Sequence, residues 1–121
     1  MAGKRVLIVD DEAQVLSTLA AFVTRAGFTV ETATKFEDAK RLLTTDPPDI
    51  LVTDVRLGPY NGLQLVLLMR EARPEGRIVV LSAFDDPTLR QEASRYQAEY
   101  ILKPLSGQAL IERLSATSGS S

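Results

Sequence analysis

The chain has 121 residues, of which 45% are hydrophobic and 25% charged, and a net charge of −2. That is the size and composition of one ordinary domain, long enough to bury a core without disulfides or a structural metal. Cys and His are both absent, which excludes disulfides, thiolate and imidazole metal sites and any phosphohistidine carried by this chain, and the scattered charges form no basic patch for direct nucleic-acid binding.

No apolar run is long enough for a transmembrane helix. Charge returns at Asp10 to Glu12, so the N-terminus does not read as a signal peptide. The expectation is a soluble, cytoplasmic protein that does not enter a membrane.

In chain order, Val6 to Val9 is a short apolar run that stops at Asp10, as suits a strand buried on both faces. Val15, Leu19, Phe22, Val23 and Ala26 recur at helical spacing, and Gly27 supplies a stop. Phe28 to Ala33 alternates like an edge strand. Thr34-Lys35-Phe36-Glu37 matches a capping box, and Phe36, Ala39, Leu42 and Leu43 give the next helix an inner face that Pro47-Pro48 ends. Ile50 to Thr53 is a third buried run, ending in Asp54. Leu63, Val66, Leu67 and Met69 lie in a third helix, closed near Pro74 to Gly76. Ile78 to Leu81 runs into Ser82. Asp86-Pro87 opens a fourth helix with Pro at its first position, and Leu89, Ala93 and Tyr96 form its inner face. Tyr100 to Leu102 is a fifth run, ending at Lys103-Pro104, and Leu110, Ile111 and Leu114 give a last helix its apolar side.

Five strand–helix units without repeat or internal linker predict an α/β fold, a parallel sheet covered on both faces with right-handed crossovers. The flavodoxin-like, doubly wound (βα)5 order 2-1-3-4-5 is favoured over a barrel, which needs eight units. Residues 4–114 are expected to form the domain. Residues 115–121, SATSGSS, read as a flexible tail, the start of a linker or a cloning scar.

In such a sheet, ligands bind beyond the carboxyl ends of the strands. The first strand ends in Asp10 and Asp11, the third in Asp54, the fourth in Ser82 and the fifth in Lys103. Carboxylates about 4 Å apart repel by roughly 4 kcal/mol per pair at an effective dielectric of about 20. An all-oxygen site of this kind suits Mg²⁺, or Mn²⁺, better than zinc. Three carboxylates, one divalent cation and one ammonium balance. If Asp54 becomes an acyl phosphate, Lys103, Ser82 and nearby backbone N–H groups can hold the added oxygens. Phosphoryl transfer needs mainly positioning and charge neutralisation, and a carboxylate is an accepted nucleophile for it. Each residue also has a plainer reading: Asp10 or Asp11 as a helix cap, Asp54 as a turn residue, Ser82 as a strand-end hydroxyl, Lys103-Pro104 as a solvated turn, Tyr100 as core. Their joint placement favours a site.

The segments VLIVDDE, ILVTDVRLGPYNGL, VVLSAF and YILKP, in this order and spacing, resemble the receiver-domain family of two-component response regulators over roughly residues 4 to 114. The resemblance implies a signalling domain rather than an enzyme of metabolism. Asp54 would accept a phosphoryl group from a phosphohistidine on a sensor histidine kinase or phosphotransfer protein, and lose it slowly by itself. Asp10, Asp11, Asp54 and the backbone carbonyl of Arg56 would hold Mg²⁺. Lys103, Ser82 and the Ala83 backbone would hold the phosphoryl group. Ser82 and Tyr100 would be the switch pair, and Lys103-Pro104 would be cis. Output would pass through the surface of the fourth helix, fifth strand and fifth helix, which would also serve a homodimer, and an output domain would be fused downstream. Some positions depart from the commonest pattern: Gly58-Pro59 for Pro-Gly, Gln97-Ala98 for Gly-Ala, Leu105 for an aromatic. Arg56 and Phe84 occupy positions that in the family tune phosphoryl lifetime.

Two other readings stand beside this one. A Mg²⁺-dependent aspartyl phosphatase like the haloacid dehalogenases calls for a second Asp at position 56, which is Arg, and for a substrate cap that a chain of this length is not expected to hold. A binding module of the same fold that does not use phosphorylation would have no need of Asp54, Lys103 and the acidic pair. Neither G-x-x-x-x-G-K-[ST] nor G-x-G-x-x-G is present, which argues against nucleotide binding.

Overall fold

Each apolar run that breaks off at a polar residue is a strand, and each amphipathic stretch between them is a helix. A computed structural model describes residues 4–115. Its elements are β1 (Arg5–Val9), α1 (Ala13–Arg25), β2 (Thr29–Ala33), α2 (Phe36–Thr45), β3 (Ile50–Asp54), α3 (Leu63–Ala72), β4 (Arg77–Ser82), α4 (Pro87–Arg95), β5 (Glu99–Leu102) and α5 (Gly107–Ser115). A further two-residue antiparallel ladder, Arg56–Leu57 against Tyr60–Asn61, makes a small hairpin after β3. The five main strands are all parallel, in the expected order 2-1-3-4-5.

Strand alternation splits the core into two layers. Val6, Ile8, Ile50, Val52, Val79 and Leu81 pack with Leu16, Leu19 and Val23 of α1 and Leu110 and Leu114 of α5. Leu7, Val9, Leu51, Ile78 and Val80 face the opposite way, onto Phe36, Leu43, Leu65, Met69 and Ala93 of α2, α3 and α4. Central strands covered on both sides read as unbroken apolar runs for this reason. Edge strand β2 does not alternate cleanly: Val30 and Glu31 are both half-buried.

Helix ends follow local chemistry. Gly27, at φ +106°, and the bonds Gly27 N–H to Thr24 C=O and Phe28 N–H to Val23 C=O close α1. Asp86 caps α4, its carboxylate accepting from the Thr88 and Leu89 amides with Pro87 in the first turn. The expected capping box at Thr34 does not form: Lys35 holds the cap position of α2 and offers no side-chain bond. Phe36, which opens α2, is buried in the core, as its place on the expected inner face requires. At the other end of the chain, α5 begins on Gly107 because a Cβ there would lie 2.3 Å from the Phe22 ring of α1. Ser115 is the last residue of α5 rather than part of a tail, and residues 116–121 lie outside the described residues.

Candidate functional site

Sheet register decides which side chains meet. β1 and β3 pair Val9 with Thr53, so Asp10 and Asp54 emerge side by side. β4 and β5 pair Ser82 with Leu102, and the Lys103 N–H donates to the Ser82 carbonyl at 2.7 Å, so Lys103 emerges above them. Its ammonium donates to Asp10 Oδ2 at 3.0 Å and to Asp54 Oδ2 at 3.2 Å, although 93 and 49 residues of sequence intervene. Asp10, Asp11 and Asp54 each bring a carboxylate oxygen within 4.8 Å of the other two. Asp10 also accepts the Glu12 N–H at 2.9 Å, so it steadies the start of α1 while lying in the cluster. The cap position itself belongs to Glu12.

Three carboxylates served by one ammonium leave negative charge in excess. Burial pushes the Asp54 carboxyl above its usual range; nearby Asp10 adds to the rise, against the lowering by Lys103 and by the Arg56 backbone N–H. For Lys103, burial works against the charged form, yet the hydrogen bond to Asp10 and the negative charges of Asp54 and Asp10 together raise it. The charged form of Lys103 is thus favoured between the two carboxylates. Hard oxygen donors with unspent negative charge suit a small divalent cation such as Mg²⁺, so the residues present fit the expected metal.

A cleft of about 260 Å³ opens over Asp54, lined also by Arg56, Ser82, Ala83, Phe84 and Lys103. A larger groove of about 560 Å³ along α1 lies away from the acidic cluster, between Ala13, Ser17, Ala21 and Thr32, and brings no such chemistry together. The Ser82 hydroxyl is engaged with the next loop, donating to the Phe84 carbonyl at 2.9 Å and accepting the Phe84 N–H at 3.1 Å. The Tyr100 hydroxyl donates to that same carbonyl at 2.7 Å, so the two expected switch residues share one acceptor. Arg90 lies over the Tyr100 ring at 4.7 Å and is anchored by Asp85 at 2.8 Å. Lys103-Pro104 is cis.

Gly58-Pro59 in place of Pro-Gly does not by itself decide the path of the loop after Asp54. In the structure Gly58, at φ +61°, turns the hairpin, and its N–H donates to Asp11 Oδ2 at 3.2 Å. Arg56 reaches across the cleft mouth to lie 5.5 Å from the Phe84 ring centre. Gly62 closes the loop where a Cβ would lie 2.0 Å from the Asp54 carbonyl oxygen. The paired Asn61-Gly62 turn was a signal available in the sequence, since Asn61 Oδ1 accepts the Leu63 N–H at 2.8 Å.

Residues 6–115 match the family model described as the response regulator receiver domain. The photosynthetic apparatus regulatory protein RegA of Cereibacter sphaeroides is 34% identical over 95% of this chain, which spans 63% of that protein. The chemotaxis protein CheY of Thermotoga maritima is 32% identical, with 96% of this chain and 98% of CheY covered. The chain spans only 25% of another relative, the alginate biosynthesis regulator AlgB of Pseudomonas aeruginosa. Among solved structures, a response regulator from Burkholderia pseudomallei with a phosphorylated aspartic acid, calcium ion and citrate superposes with a TM-score of 0.85 at 25% identity, covering 97% of this chain and 69% of that one. No helix among the described residues is long and apolar enough to cross a membrane. On the match across nearly its whole length, the chain belongs to the response regulator receiver domain family.

Proposed function

We propose that this domain, over residues 4–114, is a phosphoacceptor switch. An Oδ of Asp54 attacks the phosphorus of a phosphohistidine on a sensor kinase or phosphotransfer protein, the P–N bond breaks, and the imidazole leaves with its electron pair and takes up a proton. The carrying observation is Lys103, whose ammonium touches both Asp10 and Asp54. It offers fixed positive charge where phosphoryl oxygens would arrive. Asp10, Asp11, Asp54 and the Arg56 carbonyl would hold Mg²⁺, or Mn²⁺, which supplies charge neutralisation at the phosphoryl group. Ala83 lines the same cleft, and its backbone N–H would hold a phosphoryl oxygen.

Ser82 would exchange its bond to Phe84 for a phosphoryl oxygen. Losing that partner frees the Phe84 carbonyl that Tyr100 also uses, so the two residues would respond together. The α4–β5–α5 surface would then present differently to a partner, to a second copy or to a fused output domain. Water would release the phosphoryl group slowly. A cytoplasmic location goes with a kinase partner of this kind.

Intact mass after incubation with acetyl phosphate tests the reading. The wild-type chain with Mg²⁺ should gain one phosphoryl group, and Asp54→Asn or chelated protein none. An equal gain in Asp54→Asn would sink the assignment, and no gain in the wild type would favour a fold kept as a binding module.

A further inference from the structure

We propose that Tyr60 is a positioning residue for the acidic cluster, acting through its stack on Phe36. This rests on the reading of Asp10, Asp11 and Asp54 as a cation site. The Gly58-Pro59 hairpin is too short to hold itself, because a ladder of two residue pairs has little stability of its own. Its base is fixed: Leu57 is buried in the core, and the Gly62 N–H donates to the Val55 carbonyl at 2.6 Å. Its tip carries the functional contact, the Gly58 N–H on Asp11.

The tip is tied down by Tyr60. Its ring lies parallel to Phe36 at 12°, with centroids 4.7 Å apart. Phe36 is 8% exposed and opens α2, so it is a rigid platform, whereas Tyr60 is 44% exposed and has no comparable burial of its own. Asp11 is exposed, unlike Asp10 and Asp54. An exposed carboxylate has many rotamers, and the hairpin amide selects one that points into the cluster. The Tyr60–Phe36 stack therefore orders a ligand carboxylate that it does not touch.

Wild type, Tyr60→Ala and Tyr60→Phe should be titrated with Mn²⁺, free ion being followed by electron paramagnetic resonance. Urea midpoints establish that each variant is folded. Loss of an aromatic pair predicts about three- to tenfold weaker Mn²⁺ binding in Tyr60→Ala, with Tyr60→Phe restored to the wild-type value. A wild-type affinity in Tyr60→Ala would overturn the proposal while leaving the cation site standing. Equal weakening in both variants would overturn the stack in favour of the hydroxyl. A wild-type chain that binds no Mn²⁺ would overturn the cation reading beneath it.

Discussion

At the N-terminal edge of the sheet, Asp49 is bridged by Arg73 at 2.8 Å and accepts the Arg5 backbone N–H at 2.8 Å, and Arg5 reaches Asp46 at 3.0 Å. At the C-terminal edge, Asp10, Asp11 and Asp54 crowd together with Lys103 serving two of them. Both edges are rich in charge, but the first is nearly matched: Arg5 also reaches Glu31, Arg73 also reaches Glu75, and Arg77 and Arg113 share Glu99, so four guanidiniums face five carboxylates, against one ammonium for three at the second. The matched edge ties strands to loops. The unmatched edge keeps a deficit of positive charge next to the residue expected to react, which on the proposed function a cation from solution would offset.

The largest effect expected at the unmatched edge comes from closing its loop wrongly. Gly62→Ala would drive a methyl into the Asp54 carbonyl at 2.0 Å, with Thr53 Oγ1 also 3.1 Å away. A cost above about 4 kcal/mol is expected, a large part of a typical domain's stability. Urea denaturation measures it, and an unchanged midpoint would show that the loop yields freely.

Next comes Asp54→Asn, whose sign separates the edges. The folded pKa of Asp54 lies above its ordinary 3.8, so the folded chain favours the protonated form. That contribution is full below the ordinary value and is lost as pH rises through the folded value. At pH 7 the ionised carboxylate therefore costs stability, and Asn at position 54 should stabilise the cation-free domain by on the order of 1 kcal/mol, or about 4 °C in Tm. Scanning calorimetry should show the gain vanish as pH approaches 3.8 and shrink with Mg²⁺. A loss of stability at pH 7 would mean that the edge is matched after all.

The smallest effect belongs to the matched edge. Arg73→Ala removes a partly exposed pair and should cost about 1 kcal/mol or less. Mn²⁺ affinity should not move. A shift in affinity would show the two edges to be coupled through the sheet.

Much of this was legible in the sequence, for a physical reason. Apolar runs ending abruptly in Asp10, Asp54, Ser82 and Lys103 report strand ends directly, because a buried strand cannot carry such residues until it leaves the core. The hairpin was not legible. Gly58-Pro59 allows several turns, and its geometry is settled by Leu57 in the core and Tyr60 on Phe36, contacts 24 residues apart for the stack. The capping box at Thr34 failed for a related reason: burial of Phe36 outweighs one exposed cap bond. The shared Phe84 carbonyl was also invisible, since backbone acceptors leave no mark on side-chain identity.

Gly107, seated on Phe22, has a mechanical consequence. It seats the start of α5 directly against α1, so any reorientation of α5 on phosphorylation would hinge at that end and would have to shift Leu110 and Leu114 in the core. Nine residues span about 13 Å at 1.5 Å each. A rotation of roughly 10° about Gly107 would leave the pivot in place and swing the far end by about 2 Å. Arg77 holds the Leu114 carbonyl at 3.1 Å from β4, and so sits where that travel is greatest. If α5 turns in the signalling state, the Arg77 bond to the Leu114 carbonyl is the contact that such a turn would strain most.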